Sequence, residues 1–329
     1  MTTAPARLAA PVAGRLAAVP GVFREIGDLK RVRVAHADGS VAQRAFVRAW
    51  SDLVGGADPA DVAARECAAA LAGARLAGVD AEVLTDAGLA SDEVRAVLGR
   101  AVDEVAGGLH PATVARAHTA LASPVSRPMN GTFGRGDRTD GPFVGPGSTG
   151  ALPPFVTALA RQPRAGATAP GMPRVVVEPP EDHAEHCWAV AVYGALLADD
   201  LDADPGEVFL LGLAHHLHNA ALPDAGFAGE VLLGDALDPL LERLTERELA
   251  TLPDPLAGRV RGLLARRADA DTPVGRAFHA ADVLDRVLQV HHHARAAAFT
   301  AAQALDDLDL VHEGPVTGYH RAVLEAAGL

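Results

Sequence analysis

Apolar residues recur at three- and four-residue intervals along much of the chain, a spacing that predicts helix. In the first third the pattern runs through Ala42 to Leu53, Pro59 to Ala77 and Ser91 to Val105. Asp58-Pro59 sets a capping side chain before a first-turn proline, and Ser91-Asp92-Glu93 puts acids into a first turn. Between Ser123 and Pro154 the periodicity gives way to clustered Gly and Pro, and a second such patch spans Pro163 to Pro180 with the short β-like run Val175-Val176-Val177 inside it. Helical spacing resumes in Asp182 to Ala198, Pro205 to Ala221, Leu237 to Leu249, Pro255 to Ala268, Pro273 to about Leu305 and Val316 to Ala327. The expected organisation is a helical N-terminal region over 1–122, a Gly/Pro-rich connecting segment over 123–180 and a helical domain over 181–329.

Composition points the same way. Of 329 residues 49% are hydrophobic but only 4% aromatic, so the core is built from Ala, Leu and Val, which favours helix over strand. The expected fold class is all-α. One lysine, Lys30, stands against 28 arginines. The net charge of −13 and the lack of a basic run argue against a nucleic-acid polymer as partner. Cys67 and Cys187 make neither a disulfide framework nor a thiolate zinc site. No uninterrupted apolar run is long enough for a membrane span, and the start has no signal-peptide pattern, so the expectation is a cytoplasmic protein.

The candidate chemistry lies in the second half, where eleven of the fourteen histidines follow residue 182. His183 and His186 share a helix face, as do His215, His218 and Asn219 if Pro205 to Ala221 is one helix, and as do His279 and Asp282. Polar side chains on otherwise apolar helices are costly to bury unpaired, and converging them on a divalent metal satisfies them together. The trio His291, His292 and His293 cannot all face one way and is expected on a solvated face. Arg127, Arg135 and Arg138 in the Gly/Pro segment are candidates to meet an anion.

The run from Glu185-His186 through Ala198 resembles the opening helix of the HD-domain metal-dependent phosphohydrolase superfamily. That family follows with an apolar helix ending in a His-Asp doublet and later a helix with an Ala-Asp pair. Phe209 to Asn219 and Ala280 to Asp285 take those places here. The resemblance covers about residues 181 to 300 and implies an HD-like helical bundle in the C-terminal half. It also implies one divalent metal ion (Mn, Fe, Co, Ni, Zn or Mg) held by His186, His218, Asn219 and Asp282. Asn219 departs from the family's aspartate, an amide oxygen being neutral and a weaker ligand. A second register takes His216 as the doublet histidine and leaves Leu217 in the aspartate position. With His218-Asn219 as the doublet, His215 is an added ligand, a substrate contact or a general base.

Glu230-Val231-Leu232-Leu233-Gly234-Asp235 is similar to a Glu-Val-Leu-x-Gly-Asp segment of the nucleotidase branch, which would give Glu230 a role on the attacking water and Asp235 one on the leaving group. No histidine falls between Asn219 and Phe278, which favours one metal over two. The expected function is hydrolysis of a small phosphate ester, nucleotides included, by metal-activated water. The expected partner is that phosphorylated substrate, with no membrane, and a homodimer is compatible with the sequence. Two alternatives stand: a catalytically degenerate HD-like regulatory or interaction protein, and an HD-type iron oxygenase.

Overall fold

The computed structural model describes residues 10–35, 37–122, 152–166, 168–171, 174 and 178–296. Arg127, Arg135, Arg138, the Val175-Val176-Val177 run, His36, His312, His320 and the helix expected over Val316 to Ala327 lie outside the described residues. Among the described residues the chain is all-α, its only β features being two isolated bridges, Val34 with Ala37 and Pro163 with Asp182.

Among the described residues eight helices precede the histidine-rich part: α1 (Ala10–Ala18), α2 (Pro20–Asp28), α3 (Val41–Val54), α4 (Pro59–Leu76), α5 (Ala81–Asp86), α6 (Ser91–Val105), α7 (Pro111–Ala122) and α8 (Pro154–Leu159). Six follow: α9 (His183–Leu197), α10 (Pro205–Ala214), α11 (Gly226–Leu233), α12 (Leu237–Leu249), α13 (Asp254–Ala265) and α14 (Pro273–Ala296). Met1–Leu288 form one compact unit and Gln289–Leu329 a second. The arrangement is a helical bundle in the C-terminal half preceded by a mostly helical N-terminal region.

Local sequence explains most of the helix starts. The Asp58 carboxylate accepts from Ala60 N at 2.8 Å and Asp204 from Glu207 N at 2.8 Å, and in both cases proline follows as the first helical residue. Helix α9 opens with a reciprocal pair: Asp182 accepts from Glu185 N at 2.8 Å while Glu185 accepts from Asp182 N at 3.2 Å. Glu185 is therefore the acid of a helix start rather than a free functional carboxylate.

Every residue of α9 is buried, because helices surround it: α10, α3 and α4 all pack on it. A helix apolar all round belongs in the middle of a core, and this one has no polar face to turn to water. The N-terminal region supplies much of its cover. The Phe23 and Tyr193 rings stack with centroids 4.1 Å apart, and the Tyr193 hydroxyl donates to the Phe23 carbonyl. Trp50 meets Phe155 edge-on at 4.9 Å.

Helix α10 departs from the sequence pattern. Periodicity predicts one helix over Pro205 to Ala221, but α10 ends at Ala214, and after a turn at His215 and His216 the chain makes a single 3-10 stretch, Leu217–Ala220. Arg267 Nη1 donates to the His215 carbonyl at 3.0 Å, satisfying a helix-end acceptor from a distant part of the chain. His215, His218 and Asn219 consequently do not share one α-helical face.

Candidate metal centre

Three elements bring the site together. Helix α9 contributes His186, the turn after α10 contributes His215 and His216, and α14 contributes Asp282 and Asp285. His186 is fully buried, His215 nearly so and His216 half-buried. One ring nitrogen from each of these histidines lies within 4.8 Å of the others. His186 Nε2 and His215 Nε2 are 3.2 Å apart, and Asp282 Oδ1 is 3.5 Å from His186 Nε2.

The outer partners of the rings fix where their lone pairs point. His186 Nδ1 lies 2.8 Å from Asp285 Oδ2, His215 Nδ1 2.7 Å from the Gly212 carbonyl and His216 Nδ1 2.7 Å from Asn219 Oδ1. Each of these oxygens only accepts, Asn219 having turned its amide nitrogen to the Leu222 carbonyl at 3.1 Å. Each Nδ1 therefore carries the proton and donates it outward, which leaves Nε2 as an unprotonated acceptor. Two such lone pairs facing each other at 3.2 Å repel unless a cation lies between them. Imidazoles tied at Nδ1 to a carboxylate or carbonyl, with Nε2 free and converging, are the arrangement of metal-ligating histidines. Three imidazoles, with the Asp282 carboxylate beside one of them, suit a divalent ion of the Mn-to-Zn series.

Electrostatics favour the same protonation. Burial pushes the His215 and His216 rings well below the ordinary histidine range, and the neighbouring histidines add to it. The Asp282 carboxyl is held below its usual value although burial works to raise it, with Arg286 Nη2 3.1 Å from its Oδ2. Neutral imidazoles beside an ionised carboxylate are the forms that ligate.

The expected site residues divide accordingly. His186, His215 and Asp282 come together, and His216 joins them. His218 lies outside that group, its ring centroid 5.6 Å from that of His216, and burial followed by the Arg267 charge lowers its pKa to about 4. Asn219 touches the centre through the His216 ring. Glu230 on α11 and Asp235 in the turn after it are both exposed and not part of the group. Helix α10 ends at Ala214, and His215 and His216 are the two residues that directly follow it.

Several neighbours had no site role in the sequence reading. Asp285, Glu181 and Lys30 form a buried cluster behind His186. His183 is fully buried with neither ring nitrogen hydrogen-bonded, its centroid 4.8 Å from that of His216. Burial first, then the Arg164 charge, lowers its pKa to about 2, and Arg164 Nη1 is itself buried without a hydrogen bond. The isolated Lys30 was the one signal of this cluster visible in composition.

Asn219→Ala removes the acceptor that holds the His216 tautomer. Divalent-metal affinity is expected to fall about 10- to 100-fold, the usual effect of losing such an outer partner. Titration against a chromophoric chelator measures it, and an affinity within twofold of the parent would show that Asn219 does not orient His216.

Residues 157–308 match a family model described as an HD domain, a stretch that includes α9, α10 and α14 and so every residue of the centre. No curated protein and no solved structure gives a significant match to the chain. The matched stretch includes the three runs that the resemblance rested on: Glu185-His186 through Ala198, Phe209 to Asn219 and Ala280 to Asp285. The match over residues 157–308, just under half of the chain, supports membership of the HD-domain superfamily.

Proposed function

We propose that the protein is a metal-dependent phosphohydrolase acting on a small phosphate ester, with His186, His215, His216 and Asp282 as the ligands of one divalent ion. The observation that carries this reading is His186 Nε2 and His215 Nε2 facing each other at 3.2 Å, with a His216 ring nitrogen within 4.8 Å, in rings whose Nδ1 atoms already have oxygen partners. A divalent ion held by these residues would supply Lewis acidity toward a phosphoryl oxygen and would lower the pKa of a bound water.

The remaining roles belong to groups beside the centre. Arg164 and His183 bring unsatisfied polar nitrogens to the His216 side of the site, and an anionic ester offers the acceptors that the arginine lacks. Arg286, 3.1 Å from Asp282 Oδ2, orients the carboxylate from its solvent side. Burial keeps water away from His186 and His215 and strengthens electrostatic interactions at the centre. The degenerate reading rested on a neutral amide in a ligand position. The contact of Asn219 Oδ1 with His216 Nδ1 weighs against that reading, since the amide then serves the site from outside.

The test is metal content of the purified full chain together with a panel of nucleoside monophosphates and simple phosphate esters assayed with Mn, Co, Ni, Zn, Fe and Mg. Stoichiometric metal and metal-dependent phosphate release are the expected results. A chain that takes up none of these ions, or that takes one up and consumes oxygen rather than releasing phosphate, would refute the reading.

A further inference from the structure

The chain's one lysine is buried. Lys30 follows α2 with only 3% of its surface exposed, and its Nζ reaches Glu181 Oε1 and Asp285 Oδ1, each at 2.5 Å. Asp285 is only 2% exposed and spends its other oxygen on His186 Nδ1 at 2.8 Å. A continuous file thus runs from ammonium to carboxylate to imidazole, ending at the Nε2 that faces His215 and Asp282. Glu181, His186 and Asp285 also have the spacing of a metal-binding group, but the lysine already meets both carboxylates.

The backbone around Lys30 is tied down. Its N–H donates to the Gly27 carbonyl at 3.2 Å and its carbonyl accepts from Arg33 Nη1 at 2.9 Å. Charge balance is met within the cluster, because Arg164 Nε lies 3.8 Å from Glu181 Oε2 and supplies the second positive charge for two carboxylates. Buried carboxylates left without the Lys30 ammonium would take up protons or turn toward water.

We propose that Lys30 is a positioning residue of the metal centre: by fixing Asp285 as an aimed carboxylate it locks His186 in the Nδ1–H tautomer with Nε2 directed at the metal position. The inference rests on the reading of that centre as a site for a divalent ion. It makes the N-terminal region a working part of the HD-domain site, since the chain outside the family match supplies a group that the site depends on.

Lys30→Met in the full-length protein tests this with two readouts. Mn2+ affinity, by titration against a chelator, is expected to weaken about 10- to 100-fold. The His186 ring in the metal-free protein, read by long-range 1H–15N correlation, is expected to change from a single Nδ1–H tautomer to a mixture. A folded variant with unchanged His186 signals and Mn2+ affinity within twofold of the parent, whatever its melting temperature, overturns the proposal and makes Lys30 a stability residue only. If Lys30→Met does not fold, Lys30→Met with Glu181→Gln leaves a single buried carboxylate and carries the same expectations. Should the parent bind no Mn2+, the hydrolase reading loses its support while the tautomer still decides the role of Lys30.

Discussion

Asp282→Ala is expected to cost the protein its stoichiometric metal and about a thousandfold or more in phosphate-ester hydrolysis, while leaving it folded. Asp282 is the one anionic donor in the set, so its removal leaves three neutral imidazoles to hold a dication. The loss corresponds to about 4 kcal/mol of transition-state stabilisation, within the range that a metal ion contributes through charge neutralisation. The fold should survive because the side chain is 19% exposed and its other partner, Arg286, is 55% exposed and free to turn to solvent. Metal analysis, initial rates and thermal melting on one preparation separate the outcomes. A variant that melts like the parent and retains its metal and its rate would remove Asp282 from the ligand set. His186→Ala is the less informative substitution, since it also strips the buried Asp285 carboxylate of a donor.

The helices legible in the sequence are those whose ends are written locally. Ser91–Val105 and Leu237–Leu249 match the expected boundaries to the residue, the first with acids in its opening turn. Asp58-Pro59 and Asp204-Pro205 both cap as read. The end of α10 was not legible because no glycine or proline marks it. Contacts set by the tertiary fold accompany its ending: Arg267 on the His215 carbonyl, the His215 ring on the Gly212 carbonyl and the His216 ring on Asn219. The expected doublet, His218-Asn219, rests on ligand chemistry and lies three residues beyond His215 and His216, which are the ones that approach His186. Lys30 and Asp285 lie 255 residues apart, and no periodicity could have joined them.

Helix contact explains how the site keeps its geometry. His186 on α9 and His215 after α10 meet at 3.2 Å because the two helices approach almost backbone to backbone. That approach depends on Gly212. A Cβ built there would lie 2.5 Å from Ala191 Cα, 2.6 Å from Ala191 N and 3.0 Å from Ala191 Cβ, distances that no side-chain rotation can relieve. The same carbonyl, Gly212 O, holds the His215 ring in its tautomer.

Gly212→Ala is therefore expected to act on both stability and metal binding. Helix propensity alone would favour alanine by about 1 kcal/mol, since glycine is poor inside a helix. Overpacking a closely fitted core costs about 1–3 kcal/mol, and a clash with backbone on both sides belongs at or above the top of that range. The steric term wins, and the expected net loss is about 2 kcal/mol of folding stability from these opposed contributions. Because α10 can yield only by moving away from α9, His215 moves away from His186, and divalent-metal affinity should fall along with stability. Urea unfolding of the metal-free protein and chelator-competed Mn2+ titration at a denaturant-free, fully folded temperature read the two effects separately. Loss of stability with unchanged metal affinity would mean that the helices part elsewhere and the turn at His215 and His216 holds its own shape. A gain in stability would mean that the helices are not in contact at Ala191 at all.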